Sequence, residues 1–186
     1  MRAAILRQNG PTESVEVGQI AAPAHRREEV LVRVHAAAVN PADLKVCSGT
    51  DGAAFIHSKK FPMAIGYDFS GVVEEVGARL RGLKPGDEVF GDISGDPHGT
   101  LGSLAEFALV SERSVVPKPG NLTFEQAAAV PTAAITALQG LRDAGKLQPG
   151  QKVLINGASG GVGTFAVQIT KALGAEVTGV CSPRNV

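Results

Sequence analysis

A glycine-rich segment constrains the fold of this chain more than any other feature of the sequence. Residues 157–163 read Gly-Ala-Ser-Gly-Gly-Val-Gly and so fit the pattern G-x-x-G-x-x-G. They lie between an apolar stretch at 152–156, which reads as a strand, and a stretch at 162–173, which reads as a helix. Gly174 stops that helix, and residues 176–181 form a second predicted strand. Because two parallel strands need such a crossover helix, the segment predicts a β-α-β unit.

Glycines in this position suit a phosphate-binding turn. Without side chains the backbone can approach a pyrophosphate, and the free amides and the dipole at the start of the helix favour negative charge. Gly163 would let the helix pack closely on the strand. We therefore favour a dinucleotide site over the alternative of a tight structural turn. Its predicted cofactor-binding residues are Ala158, Ser159, Gly160, Gly161, Val162 and Gly163.

The end of the second predicted strand indicates which dinucleotide is bound. An acidic residue there would accept hydrogen bonds from the ribose hydroxyls of NAD and repel a 2′-phosphate. Residues 181–185 read Cys-Ser-Pro-Arg-Asn and contain no acid. Ser182 offers a hydroxyl, and Arg184 offers a guanidinium that can pair with a phosphate. The sequence therefore favours NADPH, the alternative being that Arg184 is only a solvated charge.

The rest of the chain divides into a mostly β part and a helical part. Residues 1–122 read as short strands broken by glycine and proline, with one short helix at 41–47 that Asn40 can cap. Thr123 and Gln126 have capping-box spacing, so a second domain is predicted at 123–186. Its two strands cannot cover both faces of a parallel sheet, so we expect the second domain to be incomplete and the chain truncated.

Charge and cysteine content exclude several classes of function. The chain has 18 Lys and Arg against 18 Asp and Glu, which argues against nucleic acid or an anionic membrane as a partner. The two cysteines, Cys47 and Cys181, are too few for a structural zinc site and lack C-x-x-C spacing, which favours a reducing compartment. No apolar run suggests a signal peptide or a membrane span, so the cytoplasm is the default expectation.

Several motifs together resemble the medium-chain dehydrogenase/reductase superfamily, especially its quinone oxidoreductase and enone reductase branches. They are 40–45 (NPADLK), 66–77 (GYDFSGVVEEVG), 85–89 (PGDEV), 105–107 (AEF) and the glycine segment, in the expected order. The resemblance implies a GroES-like, mostly β catalytic domain followed by the first β-α-β part of a Rossmann α/β domain, here truncated. It also implies that the full-length enzyme is a homodimer.

Zinc-dependent alcohol dehydrogenases of this superfamily bind catalytic zinc through Cys, His and Cys, often with a Glu beside the His. At the corresponding positions this chain has Asn40, the pair Tyr67 and Asp68, and Thr132. A catalytic zinc normally needs three Cys, His or carboxylate ligands, so we expect no metal. The four histidines show no ligand spacing either: His25, His35, His57 and His98.

Without a metal, the remaining chemistry is hydride transfer to an acceptor that is already electrophilic, such as a quinone or an α,β-unsaturated carbonyl. The protein then has to orient cofactor and substrate and supply donors where negative charge develops. Lys45 and Tyr67 are the predicted catalytic residues, with a solvated lysine and a core tyrosine as the alternatives. By resemblance, Asn40, Lys45, Thr132 and Thr136 contact the cofactor. A competing hypothesis is a naturally short, non-catalytic binding or assembly module.

Overall fold

A computed structural model describes residues 1–23, 28–50, 61–93 and 102–185 of the chain. These residues form two compact units, Met1–Pro131 and Thr132–Val186. The division falls after Pro131, so the capping box at Thr123 lies within the first unit. The domain boundary at residues 122–123 stays a prediction. No helix among the described residues is long and apolar enough to cross a membrane.

The first unit is built from eight described strands. In chain order they are β1 (Arg2–Leu6), β2 (Glu16–Gln19), β3 (Glu29–Ala38), β4 (Met63–Ala64), β5 (Asp68–Val76), β6 (Glu88–Asp92), β7 (Phe107–Ser111) and β8 (Val115–Pro117). A five-stranded antiparallel sheet has the order β7-β3-β5-β6-β8, and a smaller sheet has the order β2-β1-β4. The predicted β character of this part is therefore confirmed.

The start of β3 lies in the core of the larger sheet, where four consecutive residues are buried. On β3 the side chains of Val30 and Val32 are fully buried, and two register shifts against β5 bend the strand. Residues 104–110 read as a strand from the sequence, but β7 begins only at Phe107. Ala105 instead bridges to Ala3, and Glu106 donates its amide to the Arg2 carbonyl, so this stretch pairs with β1 before β7 begins.

Two short helices accompany the first unit, each with the predicted cap. Helix α1 (Pro41–Ser48) follows Asn40 and ends at Gly49, whose φ of 70° is the left-handed conformation that glycine favours. Helix α2 (Phe124–Ala128) begins with reciprocal hydrogen bonds between Thr123 and Gln126, of 2.9 and 3.2 Å. It packs on β3 and β5. The Phe124 ring stacks on His35 with 4.4 Å between centroids.

The second unit contains the predicted β-α-β unit. All of α3 (Pro131–Leu138) except Pro131 belongs to this unit, and a π-helical turn (Gln139–Ala144) follows, where the sequence predicts one continuous helix. Strand β9 (Lys152–Asn156), helix α4 (Gly161–Ala172) and strand β10 (Glu176–Val180) follow. The two strands are parallel and in register from the pair Lys152 and Glu176 to the pair Asn156 and Val180.

Candidate cofactor-binding site

The glycine segment turns the chain sharply between β9 and α4. Gly157 has a φ of 77°, a left-handed conformation that side chains disfavour. The amides of Gly157 and Ala158 both donate to the Val180 carbonyl at 2.9 Å. The Gly160 amide donates to the Gly157 carbonyl at 3.0 Å. These bonds attach the turn to the end of β10, so the turn and the second strand form one local structure.

Close backbone contact explains why the last position of the motif is glycine. A Cβ added at Gly163 would overlap the carbonyl oxygen of Gly157 and would lie 2.8 Å from the Ala158 Cα. By contrast, a Cβ at Gly161 would meet only the Ala133 side chain, at 4.0 Å. Gly163 therefore allows close packing of α4 against the turn at Gly157 and Ala158, and not against the strand as the sequence predicts, whereas the glycine at 161 is not required sterically.

The amides at the start of α4 are oriented to receive an anion. Gly160 caps the helix without a side chain, and the Thr164 amide makes the first intrahelical bond, to the Gly160 carbonyl at 2.9 Å. The amides of Gly161, Val162 and Gly163 therefore have no intrahelical acceptor, as in every helical first turn. The helix dipole places partial positive charge at the same end. A pyrophosphate is the ligand that this arrangement suits.

A short 3₁₀ turn (Pro183–Asn185) follows β10 and carries the second predicted contact region. Arg184 is exposed and pairs with no carboxylate among the described residues. The Asn185 side-chain amide donates to the Ser159 hydroxyl at 3.0 Å, and the Asn185 backbone amide donates to the Ser182 carbonyl at 2.9 Å. The structure thus brings Ser182 and Arg184 into one turn that is joined to the glycine segment.

Two residues of this site were not predicted from the sequence. Asn185 makes the link to Ser159, and a Cβ added at Gly179 on β10 would lie 2.8 Å from the Ala158 Cβ. The only sequence signal for Gly179 is a glycine inside a strand, which can mark close approach of another backbone. No local pattern marks Asn185, because its partner lies 26 residues earlier.

In the first unit, Asn40 is held by two buried carboxylates. Its backbone amide donates to Asp43 Oδ2 at 2.6 Å, and its side-chain amide donates to Asp68 Oδ2 at 3.0 Å. Asp43 and Asp68 are 2% and 1% exposed. Tyr67, the residue before β5, is also buried. The structure therefore brings Asn40 and one of the two predicted catalytic residues, Tyr67, to the same end of β5.

Burial dominates the electrostatics of this cluster. Burial raises the pKa of Asp43 from 3.8 to about 6; the hydrogen bond from the Asn40 amide opposes this shift and the Asp68 carboxylate adds to it. Burial, with a smaller contribution from Asp43, raises the pKa of Tyr67 to about 12. The same two causes raise the pKa of the Cys47 thiol. Asp43 thus titrates closer to neutral pH than an ordinary carboxyl group does.

A comparison with known families identifies the chain. The family model described as "Alcohol dehydrogenase GroES-like domain" matches residues 26–120. The chain belongs to the medium-chain dehydrogenase/reductase superfamily. The resemblance drawn from the sequence motifs and the predicted fold class are both confirmed.

Several proteins similar to this chain are named as oxidoreductases or reductases. It is 44% identical over 172 residues to human "NAD(P)H oxidoreductase RTN4IP1, mitochondrial", covering 85% of this chain and 43% of that protein. It is 43% identical over 155 residues to tomato (Solanum lycopersicum) "2-methylene-furan-3-one reductase", covering 82% of this chain and 39% of that protein. The quinone oxidoreductase structure from Coxiella burnetii superposes with a TM-score of 0.90 at 36% identity, over 100% of this chain and 57% of that one. The chain thus spans about half the length of the relatives it matches.

The remaining predicted site residues of this superfamily member lie on helices. Lys45 is exposed on α1. On α3, the Thr136 hydroxyl donates to the Thr132 carbonyl at 2.7 Å, so its proton is used within the helix and only its lone pairs remain for a ligand. These assignments stay predictions.

The expected absence of zinc, drawn from the residues at the zinc-ligand positions of zinc-dependent relatives, stays a prediction. Among the described residues, no group of three or more His, Cys, Asp or Glu side chains could hold a metal ion. His35 stacks on Phe124. His25, His57 and His98 lie outside the described residues.

Proposed function

We propose that this chain is part of an NADPH-dependent oxidoreductase that reduces a quinone or an α,β-unsaturated carbonyl without zinc. The observation that carries the proposal is the attachment of the glycine segment to the turn that holds Ser182 and Arg184, through Asn185 and Ser159. One local structure then offers free helix amides for a pyrophosphate and a cation for a further phosphate.

The preference for NADPH rests on charge at the end of β10. The turn of residues 181–185 contains no carboxylate to bind the ribose hydroxyls and repel a 2′-phosphate. Arg184 is exposed and can form bidentate hydrogen bonds with a phosphate. One relative is named an NAD(P)H oxidoreductase, which supports a nicotinamide cofactor.

The proposed substrate class follows from the residues at the metal positions. Asn40, Tyr67 and Thr132 are poor zinc ligands, so the substrate has to be electrophilic without Lewis-acid help. The names of the relatives include a quinone oxidoreductase and a furanone reductase. When bound, the nicotinamide would supply the hydride. Lys45 or Tyr67 would stabilise the negative charge that develops on the substrate oxygen, or return a proton to it.

The wider setting of this activity is also proposed. A small-molecule substrate, a homodimer for the full-length enzyme, a cytoplasmic location and the absence of nucleic-acid or membrane partners are expectations from the sequence. Of these, the small-molecule substrate has further support in the names of the relatives.

Nucleotide titration with a charge-removing variant tests the cofactor assignment. Dissociation constants for NADPH and NADH are measured by calorimetry on the wild-type chain, on Arg184→Gln and on the control Arg113→Gln, an exposed arginine of the first unit. A charge-assisted phosphate contact is worth about 1.5–3 kcal/mol, so Arg184→Gln should weaken NADPH binding about tenfold or more. NADH binding and the control should not change. Equal affinity of the wild type for both nucleotides would contradict the assignment.

A further inference from the structure

The turn that follows β10 is bonded to the glycine segment at both of its ends. At the start of the turn, the Val180 carbonyl accepts two amides of the glycine segment, each at 2.9 Å. At the end of the turn, the Asn185 side-chain amide donates to the Ser159 hydroxyl at 3.0 Å. Ser182 and Arg184 lie between these two attachments. The attachments therefore fix where both side chains lie relative to the glycine segment.

Asn185 takes part in three hydrogen bonds. Its backbone amide donates to the Ser182 carbonyl at 2.9 Å, and its carbonyl accepts from the Cys181 thiol at 3.6 Å, a weak donor. These two bonds close the turn on itself. The third bond, from the Asn185 side chain to Ser159, joins the turn to the glycine segment. Loss of the Asn185 side chain would thus free the end of the turn without removing a backbone bond.

The bond between Asn185 and Ser159 also suits an anion nearby. The NH₂ group of an amide can only donate, so the Ser159 oxygen is the acceptor and its hydroxyl proton is not used in this bond. A phosphate oxygen is an acceptor that this proton can reach without competing with Asn185. The Asn185 side chain itself is neutral. The pair therefore adds a donor, and no negative charge, close to the Arg184 guanidinium.

We propose that Asn185 is a positioning residue that determines the preference for NADPH over NADH. It holds Ser182 and Arg184 in place for the 2′-phosphate, and its neutral side chain keeps negative charge away from that phosphate. The inference rests on the proposed function, which assigns the 2′-phosphate to this turn. A turn that is already ordered spares the ligand the cost of ordering Arg184 on binding. NADH lacks the 2′-phosphate, so the order of the turn does not affect its affinity.

Removal of the side chain in Asn185→Ala tests the positioning. Dissociation constants are measured by calorimetry at about pH 8, where a phosphate monoester is fully ionised. NADPH should bind about fivefold more weakly, as expected for the loss of one neutral hydrogen bond, and NADH should bind as before. The probe 2′,5′-ADP carries the 2′-phosphate without the pyrophosphate bridge, and it should weaken as NADPH does. An equal loss for NADPH and NADH would overturn the proposal, because it would place the effect at the pyrophosphate.

Addition of a charge in Asn185→Asp tests the second half of the proposal. The carboxylate can accept the Ser159 hydroxyl proton, so the turn stays attached, but it brings negative charge close to the 2′-phosphate. NADPH should bind about tenfold more weakly or worse, whereas NADH affinity should stay within about twofold. The control Asn121→Asp changes an exposed asparagine of the first unit and should alter neither affinity. Wild-type affinity for NADPH in Asn185→Asp would contradict the proposal.

A double-mutant cycle shows whether Asn185 acts through Ser159. Ser159→Ala removes the acceptor of the bond, so addition of Asn185→Ala to this variant should cause no further loss of NADPH affinity. A further loss of about fivefold in the double variant would mean that the two residues act independently, and it would refute the positioning through Ser159.

Nuclear magnetic resonance on the free chain tests the attachment without a nucleotide. The side-chain amide protons of Asn185 should exchange with water about fivefold more slowly than those of the exposed Asn121. In Ser159→Ala the two rates should become equal. Equal rates in the wild type would overturn the proposal and leave the cofactor assignment intact. Absence of nucleotide binding would sink the proposed function, and the exchange rates would still decide whether Asn185 holds the turn.

Discussion

Replacement of Gly163 by alanine should lower the stability of the second unit. The added Cβ would overlap the Gly157 carbonyl oxygen and would lie 2.8 and 2.9 Å from the Ala158 Cα and carbonyl carbon. All three atoms belong to the backbone, so no side-chain rotation can relieve the contact. The turn between β9 and α4 has to move, and its hydrogen bonds to the Val180 carbonyl move with it.

The expected magnitude follows from two opposing effects of Gly163→Ala. Overpacking costs about 1–3 kcal/mol, and the upper part of that range applies because backbone is displaced. Alanine recovers up to about 1 kcal/mol of helix propensity relative to glycine. The net loss of unfolding free energy should be about 1–2 kcal/mol. Gly161→Ala is the matched control, since its Cβ would meet only Ala133 at 4.0 Å and should leave stability within about 0.5 kcal/mol.

Amide hydrogen exchange is the suitable assay, because it reports each unit separately. The single tyrosine, Tyr67, lies in the first unit and the chain has no tryptophan, so intrinsic fluorescence does not report on the second unit. In Gly163→Ala, protection of the β9 and α4 amides should fall about 5- to 30-fold, while that of β3 and β5 stays unchanged. Unaltered protection in Gly163→Ala, or an equal loss in Gly161→Ala, would refute the steric reasoning.

Three further predictions follow from individual contacts. Asn185→Ala removes the bond to Ser159 and should weaken NADPH binding about fivefold in calorimetry; an unchanged dissociation constant would show that the bond does not position the turn. Ser70→Ala removes the 2.5 Å bond to the Phe124 carbonyl and should lower the unfolding free energy by about 1–2 kcal/mol, measured by denaturation with tyrosine fluorescence as the probe. Folding raises the pKa of Asp43 to about 6, so the folded state binds a proton more tightly than the unfolded state. As pH rises from about 4 to 6, the unfolding free energy of the wild type should therefore fall by up to about 3 kcal/mol relative to that of Asp43→Asn. Urea denaturation measures this difference, and a difference that does not depend on pH would contradict the prediction.

Local signals predicted much of the fold. The capping box at Thr123 and Gln126 and the stop at Gly49 involve residues a few positions apart, so their geometry is encoded in short segments. The β-α-β unit also follows from local patterns, since its strands, turn and helix are consecutive.

Non-local contacts set the limits of this prediction. The sequence predicts that this strand starts at residue 104, three residues before β7, because nothing in residues 104–106 shows that they pair with β1, about a hundred positions away. The π-helical turn at Gln139–Ala144 has apolar spacing that periodicity cannot distinguish from an α-helix. For the same reason the sequence does not predict the hydrogen bond from the Asn40 side chain to Asp68, which lies 28 residues later.

We propose for this chain a role in hydride transfer from NADPH to a quinone or enone without a metal. The most direct measurement is NADPH oxidation by the protein isolated from its natural source, with quinones and enones as acceptors, before and after treatment with a zinc chelator. We expect faster oxidation of NADPH than of NADH and the same rate after chelation. Oxidation that stops on chelation and returns with zinc, or no oxidation with any acceptor, would contradict it.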